Sequence, residues 1–336
     1  MEIYVNLQKW IVRFISNNQL ILDNTASLFA SRASNVFDNT SECPLLTCTI
    51  IDSEKDFNTI RNKYSFSGPK TNVSPGIVLQ FDLNSCNTVF TISDTAVIEI
   101  DSTDTSQRRV YIEPHIEKSP NDKTKRHKPA EESFVYPLMV EWLKKFDSCL
   151  IHCGAVMYNN RAIVFSGQPG SGKSTQVIRL LCKGFTFLAD DLAILTREEE
   201  VKMLPFRQVA NVTKPSTEVF PEIDFVNKSP LRGDNKYSVD ITEYFPSVTN
   251  SPIMPGLFIH LFPDDKPIMK ETDSNRIFDK IHTMAWSQSQ PEDTANHFWL
   301  LTDWLINSIH WDVSQGFLRN NFDQFIQLAK EELDKL

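Results

Sequence analysis

The sequence predicts a mixed α/β (α+β) protein with two domains. Three observations carry this prediction. The chain has 336 residues, which is enough for two hydrophobic cores. Short apolar runs alternate with turn residues before residue 130, and a strand, a glycine-rich loop and a helix follow one another after residue 150. We therefore expect an N-terminal β-rich domain over residues 1–130 and a second domain over residues 131–336.

The N-terminal domain is predicted to be an antiparallel β unit. Its apolar runs are separated by Asn, Ser, Thr and Asp, which favour turns. The segment Trp10–Ile15 is apolar enough to be a helix or a strand. Nothing in this domain has chemical specificity, so it is a candidate only for binding a substrate. The predicted consecutive strands are Ile77–Phe81, Thr88–Ile92, Ala96–Ile100 and Arg109–Glu113.

A connection is predicted over residues 120–131, where prolines flank the basic run Lys123–Lys128. So short a run beside prolines indicates a linker better than a nucleic-acid site. Apolar residues at helical spacing predict a helix over Glu132–Asp147, which we expect to pack on the sheet of the second domain. Two further helices are predicted near the C-terminus, over Ala295–His310 and Asn321–Lys335.

The most specific motif of the chain runs from Gly167 to Ser174 and has the form Gly-x-x-x-x-Gly-Lys-Ser. In this pattern glycines let backbone N–H groups turn towards phosphate oxygens, the lysine (Lys173) supplies a positive charge, and the serine (Ser174) is the expected Mg²⁺ ligand. The flanking residues predict a buried strand, Arg161–Ser166, and a helix over 174–183 that ends at Gly184. The motif and its flanks together predict nucleotide binding.

Two adjacent acids, Asp190 and Asp191, interrupt the apolar run Phe185–Leu195, which otherwise predicts a buried strand. Ionised carboxylates are costly to bury unless a cation compensates them. After a phosphate-binding loop such a carboxylate can hold Mg²⁺, and successive strand residues point to opposite sides, so the two acids can have different roles. The alternative is an ordinary turn between two short strands.

Before the loop, a strand is predicted over Cys149–Met157, followed by a turn at Asn159 and Asn160. By itself, the histidine in this strand, His152, is more typical of a structural residue than of a catalytic one.

The order of His152, the glycine loop and the acid pair resembles the catalytic domain of the HPr serine kinase/phosphorylase family. The hairpin 151–166 and the segment 183–191 are also similar to HPr-kinase-related proteins, whose fold is related to that of phosphoenolpyruvate carboxykinase. The resemblance is strong over about residues 148–196. A weaker likeness extends through Tyr237–Phe245 and Gly256–Phe262.

The resemblance implies a kinase with ATP and Mg²⁺ as cofactors. It implies that Asp191 takes the proton from a substrate hydroxyl, that His152 lies against the reacting phosphoryl group, and that Lys173 contributes to catalysis. The metal would be held by Ser174 and Asp190. The nucleotide phosphates would contact Gly167, Gln168, Pro169, Gly170, Ser171, Gly172, Lys173, Ser174 and Thr175.

The sequence departs from the family after the acid pair. An Arg-Gly-Leu-Gly-like signature is not found there, and Leu204–Pro215 stands in its place. The resemblance therefore identifies neither HPr as the acceptor nor a reverse, phosphorolytic reaction. Two cations of this segment, Arg207 and Lys214, could contact phosphate or an acidic substrate, but lone loop cations are more often solvated.

The composition of the chain indicates which kinds of binding partner and which cellular environment are compatible with it. The formal net charge of −9 excludes nucleic acid as the main partner, because binding a phosphate backbone needs a basic surface. The six cysteines form no Cys-x-x-Cys pair, which is typical of a reducing cytoplasm without a zinc site, and three of them (Cys149, Cys153, Cys182) are expected to be buried thiols. No apolar stretch reaches the roughly 20 residues of a spanning helix.

Two classes of function follow. The first is a kinase that transfers the γ-phosphoryl group of ATP to a hydroxyl, most simply a serine, of a protein, a peptide or a small molecule. The second is a nucleotide-binding regulatory ATPase without a phospho-acceptor. The acid pair and the histidine favour the kinase. A homo-oligomer is compatible with either class.

Overall fold

In the computed structural model the chain forms two compact units. The first is built mainly from Met1–Lys145 and the second mainly from Phe146–Leu231, Asn235–Trp286 and Thr294–Leu336. Both combine strands and helices, which confirms the predicted mixed α/β class. That the units fold separately stays a prediction. The structure describes residues 1–29, 32–36, 43–65, 70–74, 77–81, 87–92, 95–101, 103–113, 130–231, 235–245, 248–249, 251–272 and 291–336.

The predicted connection lies outside these residues as far as residue 129, including the basic run Lys123–Lys128. Whether residues 120–131 form a connection therefore stays a prediction.

A mixed sheet forms the first unit. Its described strands are β1 (Glu2–Asn6), β2 (Ile11–Ser16), β3 (Ala33–Ser34), β4 (Leu45–Asp52), β5 (Lys70–Ser74), β6 (Ile77–Phe81), β7 (Thr88–Ile92), β8 (Ala96–Ile100) and β9 (Gln107–Ile112). They follow the order β3-β1-β2-β4-β9-β8-β7-β6-β5. The predicted strands are β6 to β9, and they pair antiparallel as expected. By contrast, β4 pairs in parallel with both β2 and β9.

Helices cover this sheet. They are α1 (Gln19–Phe29), α2 (Glu54–Ser65) and α3 (Ala130–Leu143). The predicted helix 132–147 corresponds to α3 and a following 3₁₀ turn. The sequence predicts that it packs on the sheet of the second domain, but it packs on β7, β8 and β9 of the first unit. Its apolar residues, such as Phe134, Val135 and Leu138, are buried around much of its surface. Such a pattern predicts a helix without telling which sheet covers it.

The second unit contains three sheets among its described residues. Its strands are β10 (Ser148–Ile151), β11 (Gly154–Tyr158), β12 (Arg161–Ser166), β13 (Thr186–Ala189), β14 (Ala193–Arg197), β15 (Val201–Pro205), β16 (Val209–Thr213), β17 (Lys236–Asp240), β18 (Met254–Phe262), β19 (Met269–Glu271) and β20 (Ile309–Ser314). The main sheet has the order β13-β11-β12-β18-β20-β19, with β12, β18 and β20 parallel. The smaller sheets are β10-β14-β15 and β16-β17.

Helices pack beside these sheets. They are α4 (Lys173–Leu181), α5 (Lys214–Val219), α6 (Ile241–Tyr244), α7 (Pro291–Ile306), α8 (Gln315–Asn320) and α9 (Phe322–Leu333). The predicted apolar face of α4, with Val177, Leu180 and Leu181, is buried in a core shared with Phe165 and Phe325. Within the described part of the chain, no helix combines the length and apolar character that a membrane crossing requires.

Two expectations are corrected here. The helix predicted over Ala295–His310 ends at Ile306, and His310 lies in β20, because pairing with the buried strand β18 overrides the helical spacing. Of the three thiols expected to be buried, Cys149 and Cys153 are, and burial raises the pKa of both. Cys182 is exposed, since it caps the C-terminal end of α4.

Candidate active site

The glycine loop joins β12 to α4. The strand ends at Ser166, as predicted. The helix covers Lys173–Leu181, so it begins one residue before the predicted start and ends two residues before the predicted end. A Cβ atom on Gly167 would lie 2.3 Å from the carbonyl oxygen of Leu261 in the neighbouring strand β18. Its φ of 144° is also outside the range of other residues. Glycine is therefore required at this position for the loop to leave the sheet beside β18.

Lys173 is buried at the first position of α4, with 8% of its surface exposed. Its Nζ donates a hydrogen bond of 2.8 Å to the carbonyl oxygen of Gly167 and lies 3.4 Å from that of Gln168, so the side chain folds back over the loop. Burial lowers the pKa of the Lys173 ammonium, whereas the nearby charges of Asp190 and Asp191 raise it. The one lysine of the motif is thus held between the loop and the acid pair.

The Ser171 hydroxyl is the next polar group of the loop. It is 2% exposed, and its Oγ has no hydrogen-bond partner among the residues that the structure describes. A buried hydroxyl without a partner is destabilising, and an anion seated in the loop would satisfy it. This orphaned donor is consistent with a phosphate-binding loop.

The acid pair and His152 lie where the chain crosses between two sheets. From β10 to β11 the chain leaves the three-stranded sheet for the main sheet through His152 and Cys153; from β13 to β14 it returns through residues 190–192. The strands on both sides of this crossing pair antiparallel, through Ile151↔Ala193 and Ala155↔Ala189. The two connections therefore run side by side, and His152 faces Asp191.

This crossing corrects the strand predicted over Cys149–Met157, which is two strands of different sheets. At the acids, the alternative of a turn between two short strands describes the backbone correctly. The Leu192 N–H donates to the Asp190 carbonyl at 2.9 Å, which closes a three-residue turn around Asp191. Asp191 has a φ of 66°. The positive-φ form of this turn is rare and strained, and such strain is typical of functional sites.

Three groups surround the Asp191 carboxylate, whose side chain is 31% exposed. His152 Nε2 lies 3.4 Å from Oδ1. The Arg207 guanidinium and the Asn211 amide donate to Oδ2 at 3.3 and 3.2 Å. The two donors at Oδ2 fix the orientation of the carboxylate, while part of the Asp191 side chain stays accessible to another molecule.

Asp190 points into the protein and is 1% exposed. Its Oδ2 accepts the Asn211 backbone N–H at 2.8 Å, and its carboxylate is hydrogen-bonded to the Ser174 side chain. Burial, followed by the charge of Asp191, raises the pKa of Asp190 to about 6, although the hydrogen bonds and Arg207 oppose this rise. The buried acid is therefore the one that is hydrogen-bonded to the serine of the motif.

The oxygen atoms of Ser174 and Asp190 are suitable ligands for Mg²⁺. The Ser174 hydroxyl and the Asp190 carboxylate are oxygen ligands, the type that Mg²⁺ prefers, and its remaining positions are usually filled by water and phosphate. Among the described residues, no cluster of three or more His, Cys, Asp or Glu side chains could hold a metal alone. A cation here would be shared between the protein and a bound phosphate chain.

Sequence reasoning missed two members of the site. Arg207, expected to be solvated, has a side chain only 4% exposed and pairs with Asp191, whereas Lys214 is exposed as expected. Asn211 donates to both acids, its backbone to Asp190 and its side chain to Asp191. Its signal was present, because an amide in the otherwise apolar strand β16 interrupts a buried strand as the two acids do.

Part of the chain is similar to solved structures. No family model and no curated protein matches the chain. The HPr(Ser) kinase/phosphatase from Coxiella burnetii is similar at 12% sequence identity and a TM-score of 0.31, and the match covers 54% of this chain and 93% of that chain. At this level of similarity, function has to be inferred from the geometry of the site.

Proposed function

We propose that this chain is an ATP-dependent phosphotransferase that moves the γ-phosphoryl group to a hydroxyl, foremost a serine, of a protein, peptide or small molecule. One observation carries the proposal. Two neighbouring acids lie in one strained turn and point to different surroundings. Asp190 is buried against Ser174, whereas Asp191 is partly exposed beside His152, Arg207 and Asn211.

The loop is the proposed phosphate site. Backbone N–H groups at the start of α4 and the Lys173 ammonium would bind the phosphate chain, and the Ser171 hydroxyl would gain the partner that it lacks. Ser174 and Asp190 would hold Mg²⁺, which, when bound, neutralises charge on the phosphates. Thr175 belongs to the first turn of the same helix, where its hydroxyl lies 2.9 Å from Ser216 Oγ.

Asp191 is the proposed general base. The acceptor oxygen forms a bond to the γ-phosphorus, the bond between that phosphorus and the bridging oxygen of ADP breaks, and the hydroxyl proton moves to the Asp191 carboxylate. Arg207 and Asn211 orient this carboxylate from one side, through Oδ2. His152, whose Nε2 lies 3.4 Å from Oδ1, would contact the phosphoryl group being transferred.

Three variants test this assignment. Asp191→Asn should bind Mg-ATP with near-normal affinity but lose transfer by about 10²- to 10⁴-fold, because an amide cannot accept the proton. Asp190→Asn should instead weaken metal-dependent ATP binding. His152→Ala should reduce transfer less than Asp191→Asn if it only positions the phosphoryl group. ATP affinity by calorimetry and transfer from labelled ATP separate these effects.

The matched control is Asp323→Asn, an exposed acid at the start of α9, which should change neither quantity. Labelled ATP is offered with free serine, with HPr or without an acceptor. If Asp191→Asn keeps wild-type transfer, the kinase mechanism is wrong. If label is released only as phosphate with every acceptor tried, the regulatory ATPase becomes the better description.

A further inference from the structure

The two-stranded sheet β16–β17 has one apolar and one polar face. Successive strand residues point to opposite sides, and residues paired across an antiparallel ladder share a side. The apolar face belongs to the core of the second unit and carries Ala210, Val212, Tyr237 and Val239. The opposite face is mostly polar and carries the pairs Asn211↔Ser238 and Thr213↔Lys236, with Val209↔Asp240 at one end.

Contacts at both ends turn this polar face towards the candidate active site. At one end, Asn211 donates to the two acids. At the other, Thr213 Oγ1 lies 2.8 Å from Ser216 Oγ, which in turn lies 2.9 Å from Thr175 Oγ1 in the first turn of α4. The polar face of β16–β17 therefore borders the site from the acid pair to the start of the helix.

Lys236 is the cation on this face. It is half-buried, and it forms no hydrogen bond or ion pair with any residue in the described ranges. Its cross-strand neighbour is Thr213, which contacts Ser216 and, through Ser216, Thr175 in the first turn of α4. An ammonium group on this face can bind an anion that is held at the start of α4.

We propose that Lys236 is a further nucleotide-binding residue, whose ammonium binds the phosphate chain of ATP together with Lys173. This inference rests on the proposed function. Thr213 and Ser216 would act as positioning residues, since they connect the strand that carries Lys236 to the helix that follows the loop. Neither strand β17 nor Lys236 belongs to the glycine-loop motif, so the motif cannot indicate this residue.

The experiment compares Lys236→Met, Lys236→Arg and Lys228→Met by calorimetry with ATP and with inorganic tripolyphosphate at low and high NaCl. Losing a hydrogen bond to a charged group should weaken both ligands roughly 10- to 100-fold in Lys236→Met. The same variant should show a shallower salt dependence, and Lys236→Arg should stay within a few-fold of wild type. Lys228→Met, an exposed lysine of the 3₁₀ segment Pro221–Lys228, is the control for net charge and should bind normally.

The outcomes separate this inference from the function on which it rests. If the wild-type protein binds neither ATP nor tripolyphosphate, the proposed function fails. If the wild-type protein binds and Lys236→Met binds equally well, only the role of Lys236 is wrong. Thermal unfolding of each variant checks the fold, and Lys236→Gln replaces Lys236→Met if the latter is unfolded. Equal losses in Lys236→Arg and Lys236→Met would indicate a packing role and overturn the inference.

Discussion

Gly167→Ala is expected to destabilise the second unit much more than Gly170→Ala, although both change a positive-φ glycine of the same loop. The φ angles are 144° at Gly167 and 83° at Gly170. A Cβ on Gly167 would lie 2.3 Å from the Leu261 carbonyl oxygen and 2.8 Å from Ser171 Oγ, whereas one on Gly170 would have no heavy atom within 4 Å. Comparing these two variants therefore measures the effect of the close contact between Gly167 and strand β18.

The magnitudes follow from these contacts. At Gly170, an alanine in the left-handed region costs about 1–2 kcal/mol, offset by about 0.4–1 kcal/mol because alanine has less freedom in the unfolded chain. At Gly167, backbone strain of about 1–3 kcal/mol adds to about 1–3 kcal/mol for forcing a methyl group against a neighbouring strand. We expect a difference of about 3 kcal/mol between the variants.

Urea unfolding followed by circular dichroism measures this difference. About 3 kcal/mol corresponds to a separation of roughly 1 M between the urea midpoints of the two variants. The reasoning is refuted if the two midpoints coincide, or if Gly170→Ala is the less stable variant, because the carbonyl of Leu261 would then not restrict the loop.

Three further predictions concern charge. Lys173→Ala should lower phosphotransfer by orders of magnitude while the fold survives, since it removes the cation of the loop; full transfer in this variant, measured with labelled ATP, would contradict nucleotide binding here. EDTA should abolish activity and Mg²⁺ or Mn²⁺ restore it if Ser174 and Asp190 share a metal; undiminished turnover in chelator would count against that site. Burial lowers the pKa of His297 to about 4, so the unfolded chain binds the extra proton and stability should fall as the pH drops from about 6.5 to 4, by up to about 3 kcal/mol. Urea unfolding across this range should show that loss in the wild type and a smaller one in His297→Gln.

The sequence predicts the loop and its flanks well because the signal there is local. Strand β12 has the predicted bounds Arg161–Ser166, and the turn before it has positive φ at Asn159 and Asn160, as a tight hairpin requires. The glycines and the lysine of the motif, and the asparagines of the turn, determine the local conformation through their own backbone and side-chain properties. Such features are readable from neighbouring residues alone.

The division of strands around His152 could not be predicted in this way. An apolar run from Cys149 to Met157 is consistent with one strand or with two, and only pairing with β14 and β13 decides that the chain changes sheets at His152. The roles of Arg207 and Asn211 also depend on tertiary structure, because the connection between β15 and β16 brings Arg207 to the acids and β16 brings Asn211. These are tertiary effects, and single-sequence periodicity has no access to them.

The separation of the two acids favours a kinase over an ATPase without an acceptor. A metal-dependent ATPase needs a carboxylate near the loop serine, and Asp190 alone meets that need through its contact with Ser174. The requirements of such an ATPase give no reason for the adjacent Asp191 to occupy a strained turn. They also do not explain why 31% of the Asp191 side chain is exposed while Arg207 and Asn211 donate to its Oδ2. A proton acceptor for an incoming hydroxyl needs both features, a fixed orientation and an accessible oxygen. The geometry of Asp191 therefore agrees better with the proposed phosphotransfer than with the ATPase alternative.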